Sequence, residues 1–311
     1  MRKTAFIFPG QGAQYVGMGQ DFYKSFSVCR QVFDIASEAS GLDIAKLCFE
    51  ENEQLNQTEY TQICMLAVEA AILKAVEQQG VASDVNAGLS LGEYGALAAS
   101  GAMELDDAFR VVRRRGILMQ EAVPSGGAMA AVLALDAAVI EEVCQGINGI
   151  VSIANYNCPG QIVITGEEEA VEAACRELKA AGAKRTVRLK VSGPFHSPML
   201  AGAGEKLGEV LAGVKLKEFA TPYITNVTAD YVTSTEEIKA LLCRQVASGV
   251  RWQQSMERML ADGVDTFIEI GPGKTLSGFM RKINRDVKMM NIENVADFEK
   301  VTAAMKGEGA C

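Results

Sequence analysis

The chain has 311 residues, enough for one large core or for a core with a smaller second lobe. With 49 % hydrophobic and 22 % charged residues it has the make-up of a globular protein rather than of a disordered or fibrous one. A net charge of −9 argues against nucleic acid as a partner, because phosphate binding asks for a basic surface.

Met1-Arg2-Lys3 leads straight into the apolar run Thr4–Phe8, a strand too short for the core of a secretion signal. Gln62–Gln79 has helical spacing, with Leu66, Ala67, Ala70, Leu73 and Val76 on one side. Ala87–Leu91 ends a short segment, and the Ala- and Leu-rich run Gly92–Ser100 reads as a helix. Alternation of this kind predicts a parallel sheet with helices on its faces. Asp106–Glu121 is a further helix. Next come a strand Ala128–Leu135, a helix Ala137–Gln145, strands Val151–Ala154 and Gln161–Thr165, a helix Glu167–Ala181 and a strand Lys184–Val191. That order is β-α-β-β-α-β, the ferredoxin-like unit. Gly126-Gly127 and Ser192-Gly193-Pro194 break the chain at its two ends, so a small lobe of about residues 125–192 is expected inside a larger α/β domain formed by residues 1–124 and 193–311. Asp265–Ile270 is a late core strand before Gly271-Pro272-Gly273.

No apolar stretch reaches the roughly 18 residues of a membrane span. The eight cysteines are scattered, without a Cys-x-x-Cys pair, and read as reduced thiols. These features predict a cytoplasmic chain with no membrane partner and no metal site. Basic clusters at Arg113–Arg115, Lys184–Lys190 and Lys274–Arg285 are first of all solvated faces.

Gly88-Leu89-Ser90-Leu91-Gly92 fits the G-x-S-x-G nucleophile elbow, in which a strand turns sharply into a helix and projects the serine from a strained corner. A serine nucleophile needs a base, and His196 is the one histidine of the chain. It stands in the Gly- and Pro-rich loop where the small lobe rejoins the large domain, a place that lines clefts. No carboxylate between Ser90 and His196 stands out as an orienter, so a Ser-His dyad with the imidazole N–H held by a backbone carbonyl is the preferred reading. Arg115 falls on the apolar stripe of its helix, among Val111, Val112, Leu118 and Met119. An inward guanidinium must meet an anion, either an internal Asp or Glu or a carboxylate on the substrate. Phe8–Gln14 follows the first strand and suits a loop that gives a backbone N–H to an oxyanion hole. Gly271-Pro272-Gly273-Lys274-Thr275 is not a P-loop, since the first position of that motif would be Ile268.

Together these pieces resemble the malonyl-CoA:acyl-carrier-protein transacylase family along nearly the whole chain. Phe8–Gln14 resembles its F-P-G-Q-G-x-Q, Gly88–Glu93 its G-H-S-x-G-E, and Arg115-Gly116-x-x-Met119-Gln120 its R-G-x-x-M-Q. Asn155–Gln161 is similar to N-x-N-x-P-G-Q, Phe195-His196-Ser197 to the histidine loop, and Glu269–Gly273 to E-I-G-P-G. Leu89 stands where the family usually has histidine.

The resemblance implies an α/β-hydrolase-like large domain with a ferredoxin-like insert. It implies that Ser90 is acylated, that His196 is its base, and that the Gln245 carbonyl orients His196. The main-chain amides of Gln11 and Leu91 would form the oxyanion hole, and Arg115 would bind the malonyl carboxylate. The expected reaction moves malonyl from malonyl-CoA to an acyl carrier protein in fatty acid biosynthesis. No cofactor is expected beyond coenzyme A as part of the substrate, and the chain is expected to be a monomer. The rivals are an acyltransferase of a polyketide pathway, a serine thioesterase on the same dyad, and a non-catalytic carrier-binding module.

Overall fold

A computed structural model describes residues 3–191 and 193–308. Its strands in chain order are β1 (Thr4–Phe8), β2 (Val85–Gly88), β3 (Gly127–Leu133), β4 (Val151–Cys158), β5 (Gln161–Glu167), β6 (Arg185–Arg188), β7 (Tyr223–Ile224), β8 (Thr266–Ile270) and β9 (Lys288–Ile292). Five of them form a parallel sheet in the order β7-β2-β1-β8-β9. This is the mixed α/β architecture that the alternation of strands and helices predicted.

β1 reads as a continuous apolar run because both of its faces are covered, and all five of its residues are buried. Phe6 and Phe8 enter a core with the helix Thr58–Gln78, whereas Ala5 and Ile7 point the other way, toward Trp252 and Met256. Parallel pairing brings the C-terminal ends of β1, β2 and β8 to one edge, and the loops after them meet there.

The helix Thr58–Gln78 starts four residues before its expected position and differs in character from the one-sided stripe read from the sequence. It is buried on every side from Thr61 to Leu73, wedged against the sheet and the helices Ser27–Ser40 and Leu105–Ala122.

The remaining four strands form an antiparallel sheet, β4-β5-β3-β6, with the helices Ala137–Gly146 and Glu168–Ala180 between them in chain order. Ile140, Ile164 and Leu178 give this part a core of its own. β4 runs to Cys158 rather than Ala154: its register shifts after Ile153 and Tyr156 break the alternation that a sequence pattern depends on. The strand expected over Lys184–Val191 contracts to Arg185–Arg188. A Cβ on Gly127 would lie 2.3 Å from Pro194 Cδ, so the two breaks that bracket this segment pack against each other. Ser192 lies outside the described residues, as do Met1, Arg2 and Cys311. The seven described cysteines are free thiols, five of them buried. Among the described residues no helix is long and apolar enough to cross a membrane.

Candidate active site

β2 ends at Gly88, and the helix Gly92–Ser100 starts four residues later. Between them Ser90 has φ 55°, a left-handed conformation that costs a non-glycine residue about 1–3 kcal/mol. The corner closes because it is flanked by glycine. A Cβ on Gly88 would lie 1.9 Å from Gly92 C, and one on Gly92 would lie 2.1 Å from the Phe8 carbonyl oxygen. Asn226 braces the strained turn: its Oδ1 accepts from Ser90 N at 2.6 Å and its Nδ2 donates to the Gly88 carbonyl at 2.6 Å.

His196 arrives on the loop that follows the small sheet, itself at φ 59° and buried. Its Nε2 is 2.7 Å from Ser90 Oγ. Its Nδ1 faces the carbonyl oxygens of Gln245, at 2.9 Å, and Ser248, at 3.1 Å. Both are acceptors only, so Nδ1 carries the proton and Nε2 is left to accept from the serine hydroxyl. No carboxylate hydrogen-bonds to the imidazole among the described residues.

Burial, and then the positive charge of Arg115, push the His196 pKa down to about 4, while the two carbonyls pull it partly back. The imidazole is therefore neutral at pH 7 and ready to act as a base. Because the folded value lies below the usual 6.5, the unfolded chain binds the extra proton first. The contribution of His196 to stability thus falls as pH drops from about 6.5 to about 4 and then levels off. With one histidine in a tag-free chain, the imidazole NMR signal is unambiguous, and it should titrate near pH 4. A midpoint near 6.5 would show that the ring is hydrated.

Arg115 is fully buried, and its partners differ from the internal Asp or Glu that its sequence position allowed. Nη1 donates to Gln62 Oε1 at 2.6 Å, and Nη2 donates to Gln245 Oε1 at 2.9 Å and to Ser90 Oγ at 3.2 Å. Nε has no partner among the described residues. Burial lowers its pKa, and nearby Tyr94 and Glu93 offset part of that cost. The result is a cation held by neutral oxygens beside the serine hydroxyl, with donor capacity to spare for an anion. Its helix neighbours behave differently: Arg113 pairs with Glu59 at 3.0 Å and stacks on Tyr60.

The main-chain amides of Gln11 and Leu91 donate no hydrogen bond among the described residues. Gln11 follows β1 and Leu91 opens the helix after Ser90, whose N-terminal amides add a positive dipole end. Leu89 packs over Gly10: a Cβ there would meet Leu89 Cδ2 at 2.9 Å and the Leu89 carbonyl oxygen at 2.5 Å. Gln11, Ser90, Leu91, Phe195 and His196 line one cleft of about 560 Å³. The Gly271-Pro272-Gly273 turn holds no free anion cradle, because Glu269 takes the amides of Leu276, at 3.0 Å, and Ser277, at 2.8 Å.

The structure thus gathers Ser90, His196, Arg115, Gln245, Gln11 and Leu91 from five separate stretches of the chain. Sequence reasoning missed Gln62, Asn226, Ser248 and the side chain of Gln245. Glu93 was in view as the last residue of the elbow motif, and a carboxylate inside an Ala- and Leu-rich helix is the signal that could have marked it.

A strained serine, a neutral imidazole and a buried guanidinium lie together on an α/β scaffold, and the chain is an acyltransferase by its family: the acyl transferase domain model matches residues 5–304. A malonyl CoA-acyl carrier protein transacylase of Bacillus subtilis (strain 168) is 44 % identical over 313 residues, covering 99 % of each chain. The transacylase of that name from Clostridium perfringens superposes with a TM-score of 0.95 at 43 % identity, covering 99 % of this chain and 98 % of that one. A malonyl-transacylase solved in complex with its type II PKS acyl-carrier protein superposes at 0.94 with 39 % identity, covering 97 % and 99 %. The chain belongs to the malonyl CoA-acyl carrier protein transacylase family.

Proposed function

We propose that this chain moves a malonyl group from malonyl-CoA to the phosphopantetheine thiol of an acyl carrier protein, through a malonyl ester on Ser90, in fatty acid biosynthesis. The observation that carries the reading is one hydroxyl flanked by two unlike groups: Ser90 Oγ lies 2.7 Å from the His196 base and 3.2 Å from the buried Arg115 cation. A base beside a serine serves any acyl transfer, whereas the inward guanidinium selects acyl groups that end in a carboxylate.

In the proposed mechanism His196 Nε2 takes the Ser90 proton as Oγ attacks the thioester carbonyl. The Gln11 and Leu91 amides stabilise the oxyanion, and Arg115 holds the malonyl carboxylate. His196 returns the proton to the sulfur of the leaving coenzyme A. The carrier thiol then gives its proton to His196 and attacks the ester, and as the acyl–Oγ bond breaks His196 returns that proton to Ser90 Oγ, in ping-pong order. The Gln245 carbonyl keeps the imidazole in the required tautomer throughout. The chemistry asks for no cofactor beyond the coenzyme A of the substrate.

The parallel sheet with its elbow after β2 supports an α/β-hydrolase-like large domain, residues 1–124 and 193–311. The strand order β4-β5-β3-β6 supports a ferredoxin-like lobe at residues 125–192. We place the protein in the cytoplasm as a monomer that binds neither nucleic acid nor membrane.

A single-turnover experiment tests the function. With the protein in excess over malonyl-CoA and no carrier, free coenzyme A should appear in a burst while malonyl stays on the protein. Added carrier should then collect the malonyl group. Rapid free malonate without malonyl-carrier would replace transfer by hydrolysis.

A further inference from the structure

We propose that Glu93 is a positioning residue for this transfer: its carboxylate fixes the Gln245 carboxamide and Asn226, and through them sets Ser90, His196 and Arg115 in one register. The inference rests on the malonyl-transfer reading above. Glu93 is the second residue of the helix Gly92–Ser100 and is wholly buried. Its Oε2 accepts from the Gln245 side chain Nε2 at 2.7 Å and from the Asn226 main-chain N–H at 3.0 Å.

The Gln245 carboxamide has one satisfactory orientation. Every partner of its Nε2 is an acceptor: Glu93 Oε2, the Ser90 carbonyl at 2.9 Å and Asn226 Oδ1 at 3.4 Å. That leaves Oε1 to receive Arg115 Nη2. A flipped amide would set N–H against guanidinium N–H and C=O against carboxylate, two repulsions in a dry site. The backbone carbonyl of the same residue receives His196 Nδ1–H. Asn226, anchored on Glu93 by its own N–H, clasps Ser90 N and the Gly88 carbonyl with its side chain.

Among the described residues no other carboxylate hydrogen-bonds to Ser90, His196, Arg115, Gln245 or Asn226. Glu93 also supplies negative charge near Arg115, one amide away. Burial pushes its own pKa up, so a carboxylate here costs stability that an alkyl side chain would not. That cost has an explanation if the group orders the site. Glu93 touches no substrate in this scheme and acts through Gln245 and Asn226.

A double-mutant cycle on malonyl transfer to carrier protein tests the inference. Glu93→Gln should lower kcat about tenfold, and Gln245→Leu, which keeps the backbone carbonyl, about thirtyfold, with KM for malonyl-CoA within about threefold in both. Because Glu93 acts in part through Gln245 and in part through Asn226, the double variant should fall below Gln245→Leu by clearly less than the roughly tenfold that Glu93→Gln costs alone. Losses that multiply, or a Glu93→Gln kcat equal to that of the parent, would overturn the proposal. If Glu93→Gln does not fold, Glu93→Asp takes its place in the cycle with the same outcomes, since its shorter arm cannot reach Gln245. A parent protein that makes no malonyl-carrier would count against the proposed function instead, so the two failures are distinct.

Discussion

Ser90→Ala should leave less than about one part in ten thousand of the malonyl transfer rate, the scale of loss seen when a nucleophile is deleted from a hydrolase triad. The variant keeps His196, Arg115 and the cleft, so malonyl-CoA can still bind, but no atom remains to accept the acyl group. Intact-mass measurement checks the intermediate directly. The parent, mixed with malonyl-CoA, should gain the mass of one malonyl group, and Ser90→Ala should gain none. The substitution also removes a hydroxyl from a left-handed corner without changing the space the corner needs, so the fold should be retained. Transfer by Ser90→Ala at the parent rate would show that Ser90 is not the nucleophile.

The second large effect is one of selectivity. Arg115→Ala should cut malonyl transfer by at least about 100-fold, the lower end of what two charge-assisted hydrogen bonds to a carboxylate are worth at about 1.5–3 kcal/mol each. Acetyl transfer, which offers no carboxylate, should fall by less than about tenfold. The ratio of the two rates is the readout, because it cancels damage shared by both reactions. Equal losses would take Arg115 out of carboxylate recognition and leave it as a scaffold for Gln62 and Gln245. Arg115→Lys keeps a charge but loses the fork, and its ratio should fall between the two.

The fold was legible where a local pattern carries its own cause. The strand Thr4–Phe8 and the helix Gly92–Ser100 have the bounds read from the sequence, because an apolar run before Pro-Gly and a run of Ala and Leu after the elbow each admit one structure. β4 was cut short because its bulges place Asn155 and Asn157 where alternation calls for another pattern. The all-round burial of Thr58–Gln78 was hidden because its depth depends on the helices that later segments lay over it.

The site divides in the same way. Ser90, His196 and Arg115 were visible because each breaks a local expectation: a serine between glycines, a lone histidine, a cation on an apolar face. Gln62 and Asn226 break none. They matter only because folding sets them beside residues 53 and 136 positions away. The partner of Arg115 was open between an internal acid and a substrate, and the answer of two amide oxygens and a hydroxyl could come only from the packed structure.

The solitary histidine has a consequence for how the reaction is driven. In the proposed mechanism the imidazole that hands a proton to the departing thiol is also the one that strips it from the arriving thiol. Both sulfurs must therefore stand in the same place, and they cannot stand there together. The acylated protein keeps no memory of which thiol loaded it. On that scheme it works as an unratcheted exchange, with net flow set by the supply of free carrier thiol against free coenzyme A. Coenzyme A that accumulates should accordingly compete with the carrier for the acyl-serine and run the transfer backwards.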